Sequence, residues 1–170
     1  IFGRSRALEP MLQGRPVALE AALEQARELI GGARHPVALV SSWGSNEELA
    51  TFRERLGAVF TAYVKRDAQP EPGERLEDDL LIRADKNPNT AGARALFDDA
   101  PAALPEGADL VLVWGEGCDF ARLPRGVKVV FLNAYLAPEN GHVDVFLPIS
   151  IQTERAGHYT NFRGGESAFE

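Results

Sequence analysis

Apolar residues along this chain follow two rhythms. Short, nearly unbroken apolar runs fall at 37–40 (Val-Ala-Leu-Val), 59–64, 109–114, 127–132 and 143–147. Runs of this length between Gly, Pro and Asn are typical of strands buried on both faces of a parallel sheet. Pro148 halts the last of them, because proline cannot donate to a ladder. Between the runs the period changes. Leu19, Leu23, Ala26 and Ile30 recur at helical spacing, with Pro16 as the first helical residue and Gly31-Gly32 as the stop. Leu49, Phe52 and Leu56 form a second helical face, opened by a Ser45-x-x-Glu48 capping box and closed by Gly57. Thr90 is the expected cap of a short helix over 91–97.

Strands alternating with helices predict an α/β fold: Rossmann-like, doubly wound, with a mainly parallel sheet of about five strands. The expected order is second, first, third, fourth, fifth. The switch point then lies between the first and third strands. The turns at 41–44 and 114–119 flank one crevice there, and the 150–165 tail covers it. Residues 1–15, polar and basic with Arg4, Arg6 and Arg15, read as a flexible lead-in. Residues 16–170 read as one domain with a C-terminal tail at 149–170 and an insertion at 65–107. Within that insertion Leu80-Leu81-Ile82 is expected to touch the core. The insertion is too long for a plain crossover, which suggests a functional or docking surface. Beginning at Ile1 and stopping at Glu170, the chain reads as a fragment of a longer polypeptide.

Composition narrows the function classes. Charged residues make up 25% of the chain and hydrophobic ones 45%, which suits a globular domain with its own core. A net charge of −7 argues against nucleic acid or an anionic membrane as partner. No apolar run approaches the roughly 18 residues of a membrane span, so direct membrane insertion is not expected. No signal peptide is visible. The lone Cys118 excludes internal disulfides, and an iron–sulfur cluster needs about four thiolates. His35, His142 and His158 are scattered and make no metal-ligand spacing. A reducing, cytoplasmic setting fits.

The 41–46 turn has the form of a phosphate cradle. Gly44 lets backbone approach, Ser42, Ser45 and Asn46 are small and polar, and a helix N-terminus follows. Glu47 and Glu48 sit in that helix's first turn, however, and no Lys or Arg lies between residues 36 and 52 to offset them. The turn Gly115-Glu116-Gly117-Cys118-Asp119 carries two more acids. It lacks the third glycine of a dinucleotide fingerprint. A nucleotide-shaped cleft without an occupant is the reading these acids favour. Acidic neighbours make Cys118 a poor thiolate. No triad partner can be named for His158, so no catalytic residue is assigned. Thr153-Glu154-Arg155 reads as a solvated pair or as a latch onto the sheet edge. The 83–89 loop reads as a turn network or as a contact to a neighbouring subunit or domain.

The strand Asp144-Val145-Phe146-Leu147-Pro148, followed by Thr153-Glu154-x-x-Gly157-x-x-x-Asn161-x-x-Gly164, resembles the end of the core domain in the molybdopterin oxidoreductase superfamily. Within it the chain is most similar to the large iron–sulfur subunits of bacterial NADH-quinone oxidoreductases, the family found in respiratory complex I. The similarity covers the last third well and the rest loosely. The resemblance pushes the 153–155 segment towards the latch. It implies a Rossmann-like arrangement in which a molybdopterin guanine dinucleotide would contact Ser42, Trp43, Gly44, Gly115, Gly117, Asn133 and Asn161. For the large iron–sulfur family it implies a domain that kept the fold and lost that cofactor. Iron–sulfur clusters would then lie upstream, other subunits of a respiratory complex would be the partners, and the location would be peripheral to the inner membrane on its cytoplasmic side. Two alternatives stand beside it. One is a pterin-binding domain of a molybdenum or tungsten oxidoreductase such as a formate dehydrogenase; the other is a stand-alone nucleotide-binding module.

Overall fold

The structure, a computed structural model, describes residues 5–68, 73, 77, 78 and 83–170. In chain order its elements are β1 (Met11–Leu12), β2 (Arg15–Pro16), α1 (Leu19–Gly32), β3 (Pro36–Ser41), α2 (Asn46–Leu56), β4 (Thr61–Lys65), α3 (Thr90–Arg94), β5 (Asp98–Asp99), β6 (Leu110–Trp114), β7 (Lys128–Asn133), β8 (Val145–Pro148), β9 (Gly157–Thr160) and β10 (Glu166–Phe169).

The five apolar runs become β4, β3, β6, β7 and β8, side by side in that order and all parallel. The fold is thus α/β with a mainly parallel, Rossmann-like sheet, and the switch point lies between β3 and β6. Three short strands extend it. β5 continues the parallel array beyond β4, while β1 runs antiparallel to β8 and pairs outward with β2. Among the described residues the sheet therefore has eight strands rather than about five.

The lead-in is corrected by this edge. Ala7 donates to the Ala134 carbonyl, and the 11–16 hairpin seals β8, with Gln13 (φ +48) and Gly14 (φ +76) in its turn. Pro16 closes β2 instead of opening α1, whose N-cap is Ala18. The inner face of α1 also differs. Leu19 is 49% exposed, whereas Ala22 and Ala26 are buried against Val130 and Val145. Small side chains bring the helix close to the sheet, and the leucines then sit on its flanks. The N-cap of α3 is Asn89, not Thr90, and the helix stops at Arg94. Leu80-Leu81-Ile82 lies outside the described residues.

The sheet's two faces are covered differently. Ala38, Val40, Leu110, Leu112, Val130 and Val145 pack under α1, α2 and α3. The opposite face presents Val37, Leu39, Val111, Val113, Phe131 and Phe146. Irregular chain covers it, through Leu104, Phe120, Leu123 and Val127, with no α-helix among the described residues. The winding reverses at the switch point as expected, but among the described residues the second layer has only the 3-10 turn Phe120–Arg122 and no α-helix. Pro101, Pro105, Gly107, Gly115, Gly117, Pro124 and Gly126 interrupt longer helices there.

Candidate functional site

Three strands end together at the switch point, and their ends interlock. β3 runs into Ser41 and Ser42, β6 into Gly115, and β4 through Lys65 to Asp67. The Asp67 carboxylate sits across all three. Its Oδ1 accepts from the Ser42 N–H at 2.9 Å and from the Ser42 hydroxyl at 3.2 Å. Its Oδ2 accepts from the Ser41 hydroxyl at 2.9 Å and pairs with Lys65 Nζ at 3.2 Å. Both side chains of that ion pair are buried, and Lys65 also donates to the Glu116 carbonyl. Burial pulls the Lys65 ammonium below its ordinary pKa, and the Asp67 charge opposes that fall.

This contact explains the glycines of the β6 turn. Gly115 (φ +78) and Gly117 (φ +81) adopt left-handed backbone. A Cβ at Gly115 would fall on the Asp67 carboxylate, and one at Gly117 on the backbone of Arg66 and Asp67. The Gly-x-Gly pattern thus admits the chain's own β4 loop. Cys118 lies beside it, and burial, ahead of the Asp119 charge, raises its pKa; Lys65 works the other way.

A second layer comes from the 83–89 loop, which is a turn network. Asn87 Oδ1 accepts from Trp43 Nε1 at 3.1 Å and from the Ala68 N–H at 2.7 Å. Asn89 is fully buried; its Nδ2 donates to the Gly44 carbonyl at 2.7 Å and to Asn46 Oδ1 at 3.0 Å. Its Oδ1 accepts from the Thr160 N–H at 2.7 Å.

The tail closes the mouth. Strands β9 and β10 form an antiparallel hairpin over the start of α2. The Ser45–Glu48 capping box is present. Arg155 pairs with Glu48 and donates to the Trp43 carbonyl, where the Tyr159 hydroxyl also donates. Glu47 accepts from the His158 N–H at 3.0 Å and lies 2.5 Å from His158 Nδ1. That ring contact, with help from backbone N–H groups, holds the Glu47 carboxyl at a pKa of about 2 and raises that of His158. The first-turn acids therefore do have partners, the Arg155 guanidinium for Glu48 and the His158 ring for Glu47, delivered from more than 100 residues away. The 153–155 segment is a latch with divided duties, since Glu154 pairs with Arg6 and Arg155 with Glu48.

The seven candidate residues do not make one dinucleotide cradle. Ser42 faces Asp67, Trp43 and Gly44 bond to the asparagine loop and the tail, and Gly115 and Gly117 back the Asp67 loop. The buried Asn133 holds its own turn by accepting from the Ala134 N–H. Asn161 lies at the exposed hairpin tip, where its Oδ1 accepts from the Arg163 and Gly165 N–H groups. A pterin dinucleotide does not fit these residues as they stand. Lys65, Asp67, Asn87 and Asn89 are the groups at this site that sequence reasoning did not single out. The signal for Asp67 was indirect: two glycines in one turn ask what approaches them.

Beside the site an open groove of about 550 Å³ is floored by Phe52, Leu56, Trp114, Leu132 and Ile149. Among the described residues no His/Cys/Asp/Glu group could hold a metal ion, and no helix is long and apolar enough to cross a membrane. No protein-family model matches the chain, and no curated protein matches it.

Proposed function

We propose that this chain is a cofactor-free, Rossmann-like packing domain of the kind belonging to the large iron–sulfur subunit of an NADH-quinone oxidoreductase. The domain scaffolds a respiratory complex peripheral to the inner membrane, on its cytoplasmic side. Its parent passes electrons from NADH towards quinone through clusters carried upstream, and these residues carry no chemistry. The family assignment rests on the motif running from Asp144 to Gly164. The absence of a nucleotide rests on one observation: the Asp67 carboxylate already takes the Ser42 N–H and both serine hydroxyls that a phosphate would need. The adjoining helix start is engaged as well, by the Ser45–Glu48 capping box and by the Arg155 and His158 contacts of Glu48 and Glu47.

Equilibrium dialysis against guanosine diphosphate tests this reading of the cleft. No saturable binding is expected at millimolar ligand. Micromolar affinity, lost in a Ser42→Ala variant, would instead favour a nucleotide-binding module. Metal and pterin analysis of the assembled parent tests the family. Iron with ferredoxin-like cysteine spacing upstream of Ile1 is the expected result. Molybdenum or tungsten with released pterin overturns it.

A further inference from the structure

Phe162 is 65% exposed at the tip of the β9–β10 hairpin. Arg83, arriving from the asparagine loop, lies with its guanidinium carbon 4.4 Å from the ring centroid, and that of Arg163 lies at 5.3 Å. The ring quadrupole accounts for the two cations gathering there. Neither arginine has a carboxylate partner among the described residues. On the same segments, Glu166 accepts from Asn46 at 2.7 Å, and Asp85 accepts from Asn87.

The tip is also preorganised. Asn161 Oδ1 accepts two turn N–H groups, Asn161 N–H donates to the Gly165 carbonyl, and Gly164 (φ +81) supplies the left-handed residue. Below the turn, Thr160 and His158 tie the hairpin to Asn89 and Glu47. A fixed aromatic ring flanked by guanidinium forks has the composition that concentrates binding energy at protein interfaces.

We propose that Phe162, Arg83 and Arg163 form a docking point for a carboxylate-rich segment of a partner protein. The guanidinium forks match carboxylates in bidentate geometry, and the open ring takes an apolar side chain between them. Charge complementarity selects this occupant. On a chain of net charge −7, the two guanidinium groups gathered at this tip give an acidic segment a local point of attraction. The inference rests on the packing role proposed above only for the existence of a partner, and it uses none of the cleft residues.

The test is a titration of the isotope-labelled 170-residue chain with an end-capped peptide of alternating Glu and Leu, followed by NMR. Saturable shifts are expected at the Arg83 and Arg163 side-chain N–H groups and over 161–165, weakening as salt is added. Arg83→Gln and Arg163→Gln should each lower affinity about twofold to fivefold, as for exposed ion pairs. An unmoved Thr160 amide signal will confirm that the hairpin stays docked in these variants. Absence of saturation at millimolar peptide, an unchanged affinity when Arg83→Gln and Arg163→Gln are combined, or equal binding of a control peptide of alternating Gln and Leu overturns the proposal. Tighter binding to phosphatidylserine vesicles or to a single-stranded oligonucleotide overturns the assignment to protein carboxylates. Guanosine diphosphate binding in the cleft would leave these outcomes untouched, so the two readings fail separately.

Discussion

Replacing Asp67 by Ala asks whether the interlocked strand ends are organised by a buried ion pair or merely decorated by one. The side chains of Lys65 and Asp67 are 6% and 9% exposed and meet at 3.2 Å. Removing the carboxylate leaves a buried ammonium and strips an acceptor from Ser41, Ser42 and the Ser42 N–H. Breaking such a pair from one side costs about 3–5 kcal/mol, against about 0–1 kcal/mol for an exposed pair. Lys65 keeps the Glu116 carbonyl, which sets the expected loss near the lower end, about 3 kcal/mol. A domain of this size has only about 5–15 kcal/mol in total, so the loss is easily measured. Urea unfolding followed by the fluorescence of Trp43 and Trp114 reads it directly. The paired change Lys65→Met with Asp67→Leu should cost less than Asp67→Ala alone, because no unpaired charge remains. An Asp67→Ala loss under about 1 kcal/mol, with the double variant no better, would refute the argument.

The hairpin latch should depend on pH at both ends. Glu47, held at about 2 against an ordinary 4.5, contributes fully above the ordinary value and loses its contribution as pH falls through about 2. His158, raised above 6.5, contributes fully below that value and loses its contribution as pH rises through the raised one. The Thr160 amide should therefore be best protected from exchange between these limits, after correction for intrinsic rates, and His158→Gln should abolish the alkaline limb; a flat corrected profile would contradict this. Asn89→Ala should cost about 2–4 kcal/mol in the same urea assay, since it leaves the Gly44 carbonyl and the Thr160 N–H without their partner. A cost below about 1 kcal/mol would show that water replaces the amide.

The strand order was legible because the central strands are apolar runs, buried on both faces through most of β3, β6 and β7, a pattern that survives translation into sequence. The capping box was legible for the same reason: its spacing is local. The edge strands were not. β5 is Asp98-Asp99 and β2 is Arg15-Pro16, each only two residues long and polar, with nothing in periodicity to mark them. The site was legible only in outline. The two turns do meet at the switch point, and the tail covers the first of them, at 43–48. What filled the space was hidden at the start of the 65–107 insertion, because Asp67 gains its meaning only when β4 lies beside β3. The acids at 47 and 48 looked unbalanced because their partners, Arg155 and His158, arrive from the far end of the sequence.

The sheet has one flank under helices and one under loops, and this asymmetry sets where the molecule can change. Helical cover is cooperative, so a substitution beneath α2 is felt by Leu49, Phe52 and the Phe60 and Trp114 rings stacked around it. On the other flank Leu104 comes from the connection before β6, and Phe120 and Leu123 come from the one between β6 and β7. Insertions and excursions that would unseat the first flank can be absorbed on the second, one loop at a time.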